Sequence, residues 1–151
     1  MSVRLAYVNI LARDTEALAR FYADTFGFAE IEGHRSPIYR CLDAGGVELG
    51  FNAPEAYDLL NLASRKPDGR AHIATYITFE CDSATELDGL CARAAANGAR
   101  VLKAPYDTYY NARQCVIEDP EGNVFRVNHR MGPRKPAEAV ENPPWGGKLR
   151  R

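Results

Sequence analysis

The sequence predicts an α+β fold in which one plan, a strand, a helix and three further strands, occurs twice. Two observations carry that expectation. An alternating strand is followed by a capping residue, an amphipathic helix and a closing glycine across Asp14–Gly27, and the same order returns across Ser83–Gly98. After each helix come short alternating stretches separated by turn residues. A repeated order of elements argues for internal duplication even though identity between the halves is slight.

The first half opens at Leu5–Ala12, where Val8 and Ile10 share one face and Tyr7, Asn9 and Leu11 the other. Period two over such a run is a strand between two different environments. Asp14 or Thr15 can accept the free N–H groups of a helix start. Leu18, Phe21, Tyr22 and Thr25 or Phe26 then recur at spacings of three and four, one apolar stripe. Gly27 supplies the left-handed residue that ends the helix. Strands are expected at Ala29–Glu32, Ile38–Leu42 and Val47–Asn52, with Asp43-Ala44-Gly45-Gly46 turning between the last two.

In the second half Ile73, Thr75, Ile77, Phe79 and Cys81 share one strand face, and Tyr76, Thr78 and Glu80 the other. Ser83-Ala84-Thr85-Glu86 has capping-box spacing, which lets a serine hydroxyl and a glutamate carboxylate each accept an N–H at the helix start. Leu87, Leu90, Cys91 and Ala94 form the apolar stripe, and Asn97-Gly98 stops the helix. Strands follow at Arg100–Lys103, Arg113–Glu118 and Val124–Asn128, the last two joined by the tight turn Asp119-Pro120-Glu121-Gly122-Asn123. The organisation is therefore a first module over 1–52, a linker with a short helix over 53–71, a second module over 72–130 and a proline-rich tail over 131–151. The tail reads either as a flexible end or as an arm that docks Trp145 on a partner subunit.

A chain of 151 residues, 46% of them hydrophobic, suits one compact domain or two half-domains sharing a core. Nineteen basic against 20 acidic residues give a net charge of −1, without the basic field that nucleic acid requires. The opening apolar stretch is too short for a secretory signal or a membrane span. Cys41, Cys81, Cys91 and Cys115 lack CxxC spacing, and the expectation is four reduced, mostly buried thiols in a cytoplasmic protein.

Tyr7-Val8-Asn9-Ile10 through Asp14 to Phe21-Tyr22 and Phe26-Gly27-Phe28, together with Ala96-Asn97-Gly98-Ala99 and Glu118-Asp119-Pro120-Glu121-Gly122-Asn123, resemble signatures of the vicinal oxygen chelate superfamily. That superfamily comprises the glyoxalases, bleomycin-resistance proteins and extradiol dioxygenases. The resemblance spans about residues 4–129. It implies paired βαβββ modules, a mixed sheet curled around a cavity, and a homodimer. It also implies that Tyr7, Asn9, Glu48, Gly50, Tyr76, Thr78, Arg126 and Asn128 face that cavity.

Enzymes of this superfamily commonly hold a divalent cation with one His, Glu or Gln from each of four strands. At those positions this chain offers Tyr7, Glu48, Tyr76 and Arg126. A guanidinium stays protonated and has no lone pair to give, and neutral tyrosines are poor ligands. The expectation is no metal and no cofactor. His34, His72 and His129 are expected to be ordinary surface or satisfied histidines, and Glu48 and Arg126 to converge as an ion pair.

Two functions stay open. One is a binder of a small organic ligand, anionic or aromatic, in a metal-free pocket. The other is a metal-independent lyase, isomerase or dioxygenase-like enzyme with Glu48 as base. In either, Tyr7, Asn9, Glu48, Gly50, Tyr76, Thr78 and Arg126 line the site. Tyr109 and Tyr110, in the expected hairpin loop Asp107–Asn111 near the cavity mouth, and Arg113 beside it, are candidates that either cap a ligand or cover the end of the sheet.

Overall fold

The computed structural model describes residues 2, 5–68, 75–133 and 141. The chain forms two compact units, Met1–Ile73 with Asp119–Gly122, and Ala74–Glu118 with Asn123–Arg151. The described part of the expected linker, 53–68, falls within the first unit, where a short helix α2 (Glu55–Leu59) buries Ala56. The sheet is two sheets, each of four strands and neither closed into a barrel.

In the first unit β1 (Tyr7–Leu11), α1 (Thr15–Phe26), β2 (Ala29–Glu30), β3 (Tyr39–Asp43) and β4 (Glu48–Asn52) follow in chain order. The sheet order is β1-β4-β3-β2, with β1 parallel to β4 and the other pairs antiparallel. Asp14 caps α1 as expected: its Oδ1 accepts from Ala17 N at 2.9 Å. Gly27 closes the helix at φ 75°, a left-handed conformation that a side chain would strain. Leu18, Ala19, Phe21, Tyr22 and Thr25 are the buried stripe, Thr25 taking the place left open between it and Phe26.

The turn Asp119–Gly122 explains why two signatures a hundred residues apart occur together. Glu121 accepts from the backbone N–H of Arg13 at 2.6 Å and of Asp14 at 3.1 Å, so it receives the chain entering α1. Asp119 is only 3% exposed and accepts from the Tyr22 hydroxyl at 2.8 Å. Burial, then the adjacent Asp119 charge, pushes the Tyr22 hydroxyl well above its ordinary value, so it stays a donor. Asp119 Oδ1 also accepts from Glu121 N, tightening the turn itself.

The second unit repeats the plan with β5 (Ile77–Glu80), α3 (Ala84–Ala96), β6 (Arg100–Asp107), β7 (Ala112–Glu118) and β8 (Val124–Arg130). Its order, β5-β8-β7-β6 with β5 parallel to β8, is the first sheet's order again. Ser83 Oγ accepts from Glu86 N at 3.0 Å, while the Glu86 carboxylate accepts from Asp82 N at 2.9 Å. Leu87, Leu90, Cys91 and Ala94 are the buried stripe. β6 runs four residues past the expected Lys103. It is an edge strand, and its register shifts between Lys103 and Tyr106 absorb Pro105, which has no N–H to give a ladder.

Candidate functional site

Each sheet presents to its helix the face that the alternation assigned to the core. In the first unit Arg40 lies 3.9 Å from Glu16 of α1, and Leu42, Leu49 and Phe51 are buried. The opposite face therefore carries Tyr7 and Asn9 from β1, Tyr39 and Cys41 from β3, and Glu48 and Gly50 from β4. In the second unit Arg113 reaches Asp88 of α3, so Gln114, Val116 and Arg126 lie on the face away from that helix.

The second unit's free face holds a cavity of about 260 Å³ lined by Tyr76, Tyr106, Tyr110, Gln114, Val116, Val124 and Arg126. The Arg126 guanidinium is aimed by two donations, from Nε to Thr78 Oγ1 at 3.1 Å and from Nη1 to the Tyr110 hydroxyl at 3.3 Å. It also lies over the Tyr76 ring, 5.2 Å from the centroid. None of the ion pairs among the described residues involves Arg126. Beneath it Gln114, 1% exposed, donates to the Tyr110 hydroxyl and to Asn128 Oδ1, and accepts from the Tyr106 hydroxyl at 3.1 Å. Burial raises the Tyr106 hydroxyl above its ordinary value. A buried amide with every group paired locks the two tyrosines in place.

The sequence-derived candidates separate on these facts. Tyr76 and Arg126 line the cavity, and Thr78 positions Arg126 from the paired strand. Tyr109 is partly exposed and packs edge-on against Tyr110, their centroids 4.8 Å apart. Arg113 does not reach the cavity: its guanidinium donates to Asp88 at 2.9 and 3.2 Å and to Asp107 at 3.0 Å. Tyr106, Tyr110 and Gln114 complete the lining, and the sequence reading placed only Tyr110 near a cavity mouth. Alternation along β7 would have found Gln114, whose register partner is Asn128.

On the first unit's free face, Tyr7 is exposed and stands opposite Glu48 in register. Gly50 is not open wall: a Cβ there would sit 2.5 Å from the Tyr39 hydroxyl and 2.6 Å from Asn9 Oδ1. Glycine is needed so that Tyr39 can lie across the strand. Burial, with the nearby Cys41 and Glu48, raises the Tyr39 hydroxyl above its ordinary value.

His34 is half-exposed and paired, which fits the expectation of a satisfied surface histidine. It ends a 3₁₀ turn, Glu32–His34, and its Nδ1 lies 3.0 Å from Glu48 Oε1 and 3.8 Å from Cys41 Sγ. The other carboxylate oxygen, Glu48 Oε2, is buried and meets no hydrogen-bond geometry among the described residues. His129 is satisfied as expected, its Nδ1 3.0 Å from Cys81 O. His72 lies outside the described residues.

The donor chemistry at the positions to which the resemblance assigns a cation does not suit one. The second unit contributes a guanidinium and a neutral phenol, and the first a phenol beside one carboxylate.

Two four-stranded mixed sheets of identical strand order, each with one helix on one face, define a duplicated βαβββ protein. The family model for the Glyoxalase/Bleomycin resistance protein/Dioxygenase superfamily matches residues 4–127, and the chain belongs to that superfamily. A glyoxalase/bleomycin resistance protein/dioxygenase family enzyme from Burkholderia phytofirmans is 46% identical. The match covers 85% of this chain and all of that one, with a TM-score of 0.81. A glyoxalase-related enzyme from Fulvimarina pelagi is 20% identical over 89% of this chain and 98% of its own, with a TM-score of 0.68. Lactoylglutathione lyase from Agrobacterium tumefaciens is 21% identical over 85% of this chain and 95% of its own, with a TM-score of 0.62. The latter two likenesses are of fold. No protein of curated function matches this chain.

Proposed function

We propose that this chain binds a small organic anion with a flat, aromatic portion in the cavity of its second unit, without a metal ion. The single observation that carries this reading is Arg126. Its guanidinium is oriented by Thr78 and Tyr110 and has no carboxylate partner among the described residues. A cation held in that way is ready for an oxyanion, which it can bind with two parallel hydrogen bonds. Tyr76, Tyr106 and Tyr110 supply apolar walls with hydroxyls at their edges, and Gln114 is already engaged and serves as scaffold. At about 260 Å³ the cavity lies near the lower end of the size of ligand sites, which suits one ring and its carboxylate.

Isothermal titration with benzoate, and with benzyl alcohol as its neutral counterpart, tests this. Benzoate should bind at least about tenfold more tightly. Arg126→Gln should remove that preference, a loss of about 10- to 100-fold for one charge-assisted contact. Equal affinity for the two probes, or unchanged benzoate binding in Arg126→Gln, would end the proposal.

A further inference from the structure

Three side chains of different chemistry meet on the face of the first sheet away from α1: a buried thiol, a part-buried carboxylate and a half-exposed imidazole. Cys41 and Glu48 come from adjacent antiparallel strands. Because Cys41 pairs with Gly50 and Asp43 with Glu48, the thiol and the carboxylate are diagonal neighbours on one face. His34 arrives from the turn above them. That turn is anchored to β3 by Ile31 N donating to Cys41 O at 3.0 Å, and its exit is held by the two-pronged pairing of Arg35 with Glu30. The imidazole position is therefore set by backbone on one side and by an ion pair on the other.

We infer that His34, Cys41 and Glu48 form a binding site for one zinc-like divalent ion. Their ligating atoms all lie within 4.8 Å of one another, with the closest pairs at 3.0 and 3.8 Å. A tetrahedral ion with bonds of about 2.0–2.3 Å requires ligand atoms roughly 3.3–3.8 Å apart, so side-chain adjustment within about an ångström seats it. Glu48 Oε2, buried and without a hydrogen-bond partner among the described residues, supports the same conclusion. A buried acceptor left unmade costs on the order of 1–3 kcal/mol, and a cation offers it a partner. On binding, Cys41 ligates as thiolate and its proton passes to solvent.

The donor set also selects the metal. One nitrogen, one sulfur and one oxygen suit zinc, cobalt or nickel, whereas magnesium and calcium take oxygen alone. Three protein ligands leave the fourth position open on the side where the imidazole is half exposed, the arrangement of a site that admits water or a ligand. Of the positions that the resemblance assigns to a cation, this set shares only Glu48. All three donors belong to one unit.

Chelator-treated full-length protein titrated with cobalt(II) chloride tests the inference. One equivalent should bind with the intense visible bands of a tetrahedral ion and a near-ultraviolet thiolate charge-transfer band, and zinc should displace it. Cys41→Ser should abolish the charge-transfer band. His34→Ala, at a half-exposed position that leaves the core intact, should weaken cobalt binding at least tenfold. Octahedral cobalt without the thiolate band, sub-stoichiometric binding, or binding unchanged in His34→Ala would each overturn it. Benzoate binding through Arg126 is a separate measurement, and its outcome leaves this one unaffected.

Discussion

Tyr22 and Asp119 show how one hydrogen bond holds a distant signature in place. Asp119 is buried with its charge, and the Tyr22 hydroxyl is one of its donors. Tyr22→Phe keeps the ring that stacks near Phe26 and Phe51 and removes only the hydroxyl. The expected loss is about 1.5–3 kcal/mol of unfolding free energy, the range for a hydrogen bond to a charged group, measured by urea titration. A loss below about 0.5 kcal/mol would mean that the other partners of Asp119 suffice. Arg113 and Arg126 make the complementary point. Both are arginines on neighbouring strands, yet two aspartates occupy the first fork and none of the described carboxylates occupies the second. Both were ligand candidates, Arg126 through the family resemblance and Arg113 through its place beside the expected hairpin loop; only the side of the sheet separates them.

At the scale of elements, helix starts were legible because capping is local chemistry. Asp14 and Ser83 each accept an N–H three residues on, as their spacing requires. Replacing Ser83 with alanine should cost about 1 kcal/mol of stability, and with glycine only a few tenths. Denaturant unfolding of the two variants checks this, and an equal loss would show that the hydroxyl is not acting as a cap. The strand ends were less legible. β6 was expected over Arg100–Lys103, yet it continues through Ala104-Pro105, because an edge strand tolerates proline where a central one cannot. The turn bearing His34 was equally opaque, since nothing in Glu32-Gly33-His34 tells which way a short 3₁₀ turn aims its last side chain.

Across the whole molecule, all four cysteines are free and buried, and burial raises each thiol above its ordinary value, Cys115 to about 12. The sign follows from proton counts. Below the ordinary thiol value of 9.0 folded and unfolded chains hold the same proton. As pH rises from there toward about 12, the unfolded thiol loses a proton that the folded Cys115 keeps, so stability falls. Urea midpoints measured upward from neutral pH should decline once pH passes about 9, and Cys115→Ala should flatten that decline. A slope unchanged in the variant would assign the alkaline loss elsewhere. Both units share one strand order, yet their free faces differ in chemistry: tyrosines and an arginine in the second, imidazole, thiol and carboxylate in the first. Among the described residues, no helix is long and apolar enough to cross a membrane.

The sequence by itself determined the duplicated plan, both helices with their caps and stripes, and which face of each strand packs against a helix. All of these depend on periods of two and 3.6 and on contacts within four residues. Arg126 and Tyr76 were named through the family resemblance, which assigns the face opposite the apolar stripe to a cavity. The tertiary structure alone decided that Gln114 ties Tyr106 to Tyr110, that Tyr39 covers Gly50, and that His34 stands over Cys41 and Glu48. Those meetings join separate strands and a turn through side-chain rotamers and register. No spacing along the chain encodes them, because what brings the atoms together is the packing of the sheet.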